Sequence, residues 1–210
     1  MKHQDIYLIL NRLFPKARCE LNHDNAYQLT VAVLLSAQTT DVAVNRLTTS
    51  FFKRYPSVRE LADAKLDDVE NSIRMIGLYH NKAKNLIKMA QQVNSDYSGT
   101  IPSDRDDLMR LAGIGRKSAN VIMSEWFHFP AIAVDTHVER VSKRLNLAKW
   151  PDSVRQVEDK LMKAFPQEQW SRLHHLLIFF GRYRCKAQNP QCLDCPFLKI
   201  CQKDKQPKAN

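Results

Sequence analysis

Apolar residues recur at helical spacing along almost the whole chain, and this periodicity constrains the fold more than any other feature of the sequence. Residues 26–37 are nearly continuous apolar sequence and predict a helix that is buried on most sides. No stretch of convincing length alternates apolar and polar residues in the manner of a half-buried strand. The chain has 210 residues and only five glycines, which argues against a fold built from tight β-turns. We therefore predict an all-α protein of about ten helices joined by short loops.

The charge balance indicates the kind of partner. The 32 lysines and arginines outnumber the 22 aspartates and glutamates, for a formal net charge of +10. Such a surplus favours nucleic acid before a membrane surface, although a solvated basic surface gives the same balance. No apolar run approaches the ~20 residues that span a bilayer, and the N-terminus lacks the apolar segment and cleavage site of a secretory signal. We expect an intracellular protein, in a compartment where structural disulfides are rare.

Four of the five cysteines lie within residues 185–201, and three interpretations compete for them. They are Cys185, Cys192, Cys195 and Cys201. Disulfides fit poorly with a reducing compartment. Structural zinc usually takes two short Cys-x-x-Cys pairs, and only Cys192 and Cys195 form one. The spacing favours an iron–sulfur cluster over zinc. Because the segment has few large apolar residues to fold around, we expect the metal group to have a structural role.

A turn rich in glycine joins two helical patterns at about residues 105–127. Its sequence, LAGIG, spans residues 111–115 and is followed at once by Arg116 and Lys117. Gly113 and Gly115 permit positive φ and let a phosphate approach the backbone, while N–H groups at the start of the next helix point at that phosphate. The pattern is typical of a helix–hairpin–helix motif that binds the DNA backbone. A simple corner between two helices is the alternative.

Lys117 occupies an unfavourable position for a cation, because a helix N-terminus carries partial positive charge. That charge and the neighbouring Arg116 both disfavour the ammonium form. A neutral lysine amine is a nucleophile that can form a Schiff base. From the residues alone, a nucleophilic role for Lys117 is as well supported as the alternative, in which Lys117 makes a second phosphate contact or is a solvated surface lysine.

These motifs together resemble the endonuclease III family of DNA glycosylases and abasic-site lyases. The resemblance rests on LAGIGRKSAN, on VDTHVERVSKRL at residues 134–145, on LLSAQTTDVAVN at 34–45, on MIGLYHNKA at 75–83 and on the four cysteines. It implies a six-helix domain at 26–129, and a second domain made of 1–25 and 130–210 with a [4Fe–4S] cluster at 185–201. It further implies a bifunctional base-excision repair enzyme that removes oxidised or ring-saturated pyrimidines from damaged double-stranded DNA, and a bacterial, cytoplasmic, nucleoid-associated monomer.

The same resemblance implies residue roles. Lys117 matches the catalytic lysine that attacks C1′ of the damaged nucleotide, and Asp135 matches the catalytic aspartate, although Asp135 is also a good helix N-cap. Gln38 matches the glutamine that fills the gap left by the extruded nucleotide, and Leu78 the wedge against the orphaned base. Without the resemblance, Gln38 is a polar helix end and Leu78 a core residue. The remaining implied DNA contacts are Gly113, Gly115, Arg116 and His137.

Two departures and two alternatives accompany the resemblance. The family hairpin commonly begins Leu-Pro-Gly, whereas Ala112 replaces the proline here, with an expected slight loss of rigidity. The first cysteine loop, usually basic, has a single cation in Lys186. An adenine-mismatch glycosylase is the nearest alternative, but residues 34–37 lack its catalytic glutamate. A non-catalytic helix–hairpin–helix DNA-binding protein is the other.

Overall fold

The described chain is all-helical, as predicted. The structure is a computed structural model that describes residues 1–205, and no strand occurs among them. Eleven α-helices lie in this range. They are α1 (His3–Leu13), α2 (Ala26–Leu35), α3 (Asp41–Arg54), α4 (Val58–Ala62), α5 (Leu66–Ile73), α6 (Tyr79–Asp96), α7 (Arg105–Arg110), α8 (Arg116–Glu125), α9 (Thr136–Arg144), α10 (Val154–Ala164) and α11 (Trp170–Phe179).

Short non-α turns complete the C-terminal part of the chain. A π-helical turn, Phe180–Arg184, extends α11, and 3₁₀ turns cover Gln167–Gln169, Leu198–Ile200 and Lys203–Lys205. Over the described range, no helix is both long enough and apolar enough to cross a bilayer.

The described residues divide into two compact units. The hairpin unit is Glu20–Phe129, and the cysteine unit combines Met1–Cys19 with the chain from Pro130 onward. The predicted domains, 26–129 and 1–25 with 130–210, concern independent folding, which such a division does not test, so they stay a prediction. Residues 206–210 of the second predicted domain lie outside the described residues.

In the hairpin unit, α6 is the helix on which the others pack. It contacts α2, α4 and α5, while α8 packs against α2 and α7. Its apolar face places Leu86, Met89, Ala90 and Val93 in the core, all with no exposed surface. Helix α2 is buried along almost its whole length, as its continuous apolar sequence predicts, but it ends at Leu35 rather than at residue 37.

In the cysteine unit, a core joins the N-terminal helix to the C-terminal ones. Ile6 and Leu10 of α1 pack with Val138 and Val141 of α9 and with apolar residues of α10 and α11. Phe180 and Phe197 belong to the same core and meet edge to face, with ring centroids 5.3 Å apart. Phe197 is thus the apolar side chain by which the four-cysteine segment is attached to a helical core.

Candidate functional site

The turn between α7 and α8 is a glycine hairpin anchored by two buried side chains. Leu111 and Ile114 are 2% and 4% exposed and fix residues 111–115 to the hairpin unit. Gly113 has φ +79°, in the left-handed region. A Cβ there would lie 3.1 Å from atoms of both Asn85 and Leu34. Conformation and close packing therefore both require glycine at position 113.

Gly115 does not use the positive φ that glycine permits. Its φ is −92°, a value that any residue can adopt. A Cβ at this position would meet nothing within 4 Å. Neither backbone strain nor close packing therefore requires glycine at position 115. Without a side chain there, the backbone of the residue is accessible to a bound molecule. Gly115 is also the N-cap of α8 and, having no side chain, supplies no cap to the first turn, which is the end of a helix that favours anions.

Lys117 lies on this first turn of α8. Its side chain is exposed, whereas that of Arg116 is half-buried. The amine thus stands in solvent one residue beyond a helix start that favours anions.

Gln38 and Leu78 share an unusual backbone conformation. Both are exposed, and both adopt left-handed dihedrals, with φ 54° and 60° respectively. For residues with a Cβ this conformation costs about 1–2 kcal/mol. Gly77 precedes Leu78 and would tolerate it, yet the chain puts Leu78 there, with 54% of its surface exposed. The interpretation of Leu78 as a core residue is therefore wrong.

Lys82 connects the two left-handed turns. Its Nζ donates a 2.8 Å hydrogen bond to Oγ1 of Thr39, the neighbour of Gln38, and its backbone N–H bonds to the carbonyl of Leu78 at 3.0 Å. The side chain is only 4% exposed, and burial lowers its pKa below the ordinary value. A buried lysine is rare unless its amine has a specific partner. Lys82 thereby holds the Gln38 turn at the start of α6.

In the cysteine unit, Asp135 caps α9 as the sequence predicts. Its Oδ1 accepts hydrogen bonds from the backbone N–H groups of His137 and Val138, at 2.9 and 2.8 Å. Two N–H donors at a helix N-terminus stabilise an ionised carboxylate and fix its direction.

His137 is held by Arg140 on the next turn of α9. Burial is the largest cause that lowers its pKa below the usual 6.5; Arg140 and Arg182 add to this, and Asp135 opposes it. The guanidinium of Arg140 lies 3.2 Å from Nδ1 of His137. Because arginine only donates, Nδ1 is the acceptor and the ring proton lies on Nε2. The backbone of Gly181 also hydrogen-bonds to the ring, so Arg140 and Gly181 together fix the orientation of His137.

The four cysteines lie in an irregular segment that Arg144 joins to α9. Arg144 is 2% exposed, and its guanidinium donates to the carbonyls of Lys186 and Ala187 at 2.8 and 3.3 Å. The same group lies 3.5 Å from Sγ of Cys185. Arg184, which directly precedes the segment, pairs with Asp194 inside it at 2.5 Å.

The four cysteines form a set of thiol donors of the kind that an iron–sulfur cluster or a zinc ion takes. All four cysteines are half-buried and outside any disulfide. Burial raises the pKa of Cys201, and Cys185, Cys195 and Cys192 raise it further, so the thiols converge. Yet within residues 1–205 no three cysteine, histidine or carboxylate side chains are arranged to hold one metal ion.

Comparison with known proteins defines the class to which this fold and site belong. The family model described as HhH-GPD superfamily base excision DNA repair protein matches residues 31–167. That match spans more than half of the chain, from the buried α2 through the hairpin and the whole of α9.

Three individual matches within this superfamily are endonuclease III proteins or structures. The chain is 53% identical to endonuclease III of Bacillus subtilis (strain 168), over 90% of this chain and 86% of that protein. It is 39% identical to endonuclease III of Escherichia coli (strain K12), over 96% and 95%. A solved structure of a trapped endonuclease III–DNA covalent intermediate, an estranged-adenine complex, matches with a TM-score of 0.94 and 50% identity over 98% of each chain.

The chain belongs to the endonuclease III family within the HhH-GPD superfamily. The predicted fold and the predicted activity class, a base-excision DNA glycosylase with abasic-site lyase activity, are thereby confirmed. The roles of individual residues are a separate matter and stay predictions.

Sequence reasoning missed the polar residues that hold the site. Lys82, Arg140 and Arg144 stand at ordinary helical positions, where a cation usually lies in solvent. Only for Lys82 was there a signal, because it follows Leu78 by one helical turn within MIGLYHNKA.

Proposed function

We propose that this chain removes oxidised or ring-saturated pyrimidines from damaged double-stranded DNA and then cuts the strand on the 3′ side. One observation carries the proposal: Lys117 is exposed on the first turn of α8, directly after a hairpin whose backbone is open at Gly115. A phosphate bound by the hairpin would hold the DNA backbone beside the lysine amine.

Lys117 acts as the nucleophile. Its neutral amine attacks C1′, a bond forms between Nζ and C1′, and the bond from C1′ to the damaged base breaks. The amine loses its proton and the sugar ring opens to give an imine. Removal of a proton from C2′ then expels the 3′ phosphate by β-elimination, which leaves the protein attached to the 5′ fragment until water hydrolyses the imine.

Asp135 supports this chemistry through charge. Its carboxylate is held in one direction by the backbone N–H groups of His137 and Val138, which donate to Oδ1. A fixed negative charge stabilises the positive charge that develops on the sugar as the base departs. The N-cap and the catalytic role therefore use the same property of the side chain.

The remaining predicted residues bind and open the duplex. Gly113, Gly115 and the half-buried Arg116 bind a phosphate, and His137 contributes a further DNA contact. Gln38 enters the gap left by the extruded nucleotide, and Leu78 wedges against the orphaned base. Their exposed, left-handed backbones support this assignment, because strained non-glycine residues cluster at functional sites.

Cys185, Cys192, Cys195 and Cys201 would hold a [4Fe–4S] cluster. When bound, the cluster supplies iron–thiolate bonds that fold residues 185–201, a structural contribution. The protein's own part is to present four half-buried thiols and to fix Cys185 through Arg140 and Arg144.

Borohydride trapping on duplexes that each bear one defined lesion tests the proposal. The native protein should form a covalent adduct on ring-saturated pyrimidines and on abasic sites. Lys117→Gln should abolish the adduct while duplex binding persists. Lys84→Gln, which changes an exposed lysine of α6, is the matched control and should trap normally. An unchanged adduct yield in Lys117→Gln would assign the chemistry to another amine.

A further inference from the structure

One side chain of α6 binds the hairpin backbone at two points. The backbone N–H of Ala112 donates to Oε1 of Gln92 at 2.8 Å. Nε2 of the same side chain donates to the carbonyl of Arg110 at 3.1 Å. Gln92 therefore spans the end of α7 and the start of the hairpin with a single planar amide.

The first of these hydrogen bonds depends on the residue at position 112. The endonuclease III hairpin commonly has proline there, and proline has no backbone N–H. With alanine, the N–H exists and lies in a half-buried position, where leaving a donor unpaired is destabilising. Gln92 supplies the acceptor that a proline-containing hairpin does not need.

The backbone before Ala112 retains the shape that proline favours. Leu111 has φ −71° and ψ 138°, inside the extended region to which a following proline restricts a residue. Alanine does not impose that conformation by itself. The shape is instead held by buried Leu111 and Ile114 and by the two hydrogen bonds from Gln92.

No other side chain of similar size meets both requirements. Glutamate accepts from Ala112 but, when ionised, cannot donate to the carbonyl of Arg110. Methionine matches the length of glutamine and makes neither bond. The amide is thus matched to one donor and one acceptor whose separation is set by the hairpin.

We propose that Gln92 is a positioning residue for the hairpin, and that it supplies the conformational restraint that a proline at position 112 would otherwise provide. It acts through the backbone of Arg110 and Ala112 and sets the direction of the N–H groups that receive a DNA phosphate. The effect on DNA rests on the proposed function; the effect on the hairpin does not.

Amide exchange tests the restraint without DNA. In the native protein, the Ala112 N–H should exchange with solvent at least about tenfold more slowly than in Gln92→Met, because the hydrogen bond must open first. Gln91→Met is the matched control, since Gln91 is the adjacent glutamine and donates to the carbonyl of Ala62 instead. Equal Ala112 exchange rates in native protein and Gln92→Met would overturn the proposal.

A double-mutant cycle tests the link to proline. Gln92→Met should weaken binding to a duplex with a stable abasic-site analogue about five- to tenfold, the effect of losing two hydrogen bonds. Gln92→Glu keeps an acceptor for the Ala112 N–H and should weaken binding less. In an Ala112→Pro background, Gln92→Met should weaken binding less than twofold. An equal loss in both backgrounds would show that Gln92 does not replace proline. If the native protein itself fails to bind, the proposed function fails, and the exchange experiment still decides the role of Gln92.

Discussion

The hairpin at 111–115 and the cysteine segment at 185–201 are both irregular backbone, yet different forces hold them. Side chains of the protein hold the hairpin, through buried Leu111 and Ile114, the close packing of Gly113 and the amide of Gln92. The cysteine segment has one fully buried apolar anchor, Phe197, and hydrogen bonds from Arg140 and Arg144. A segment that packs so little of its own surface needs another source of folding free energy. The protein's own side chains therefore hold the hairpin, whereas the fold of the cysteine segment would depend on the cluster proposed for its four thiols.

The largest effect is expected from a substitution that prevents the cysteine segment from binding its proposed cluster. Cys192→Ser should eliminate bound iron and the visible absorption of the cluster, and residues 185–201 should lose their fold, because metal binding supplies the folding free energy. Protection of the Ala112 N–H in the hairpin unit should persist in the same variant. Iron content, visible spectra and amide exchange measure both outcomes.

Cys19→Ser, which alters the cysteine outside the segment, is the control and should retain iron. If Cys192→Ser abolishes hairpin protection as well, the two regions depend on a common source of stability and the contrast between them is wrong.

An intermediate effect tests whether a side chain also holds the Gln38 turn in the hairpin unit. Lys82→Met removes the donor to Thr39, and we expect kcat/KM on a lesion duplex to fall about tenfold, as for a lost hydrogen bond from a charged group. The free energy of unfolding should not fall, because replacing a buried charge by an apolar side chain of similar volume is often neutral or stabilising.

Lys88→Met changes an exposed lysine on the same helix and should match the native protein in both measurements. Activity of Lys82→Met equal to that of Lys88→Met would mean that the Gln38 turn holds its conformation without the ammonium group.

The smallest expected effect is a change in the pKa of His137, which lies on α9 of the cysteine unit and is held by side chains of the protein rather than by a metal group. An NMR titration should give His137 a pKa below 6.5, and Arg140→Gln should raise it only partly, since burial is the larger cause. The unfolded chain takes up this proton near pH 6.5 and the folded chain at lower pH. Acidification from 6.5 downward therefore favours the unfolded state.

The exposed Arg155 pairs with Asp159 on α10 and provides the comparison variant, Arg155→Gln, which should leave the His137 titration unchanged. A His137 pKa at or above 6.5 in the native protein would contradict the burial of the ring, and an unchanged pKa in Arg140→Gln would contradict its contact with Arg140.

The sequence predicts those features of the site that depend on local geometry. The helices, the glycine at position 113 and the N-cap at Asp135 follow from spacing and residue type within a few positions. The positive φ that Gly115 permits is not adopted, because a glycine signals conformational freedom whether or not the fold uses it; its predicted contact with DNA stays a prediction. Leu78 could not be recognised as exposed from its pattern, since an apolar residue beside a helix usually enters the core.

The polar residues that hold the site escaped prediction for a different reason. Lys82 meets Thr39 across 43 positions, Gln92 meets Ala112 across 20, and Arg144 meets Lys186 across 42. No periodicity reports such pairs, because each is created by packing between helices that are distant in the chain. Their partners are also mostly backbone groups, which carry no signature in the sequence.

The left-handed backbones of Gln38 and Leu78 have a consequence for engineering this enzyme. Glycine or asparagine accepts that conformation more readily than either native residue, so a thermostability screen would select substitutions at these two positions early. Such variants would tolerate heat better and repair DNA worse. A stabilisation programme for this protein should therefore keep positions 38 and 78 fixed and seek its gains on surfaces away from the DNA.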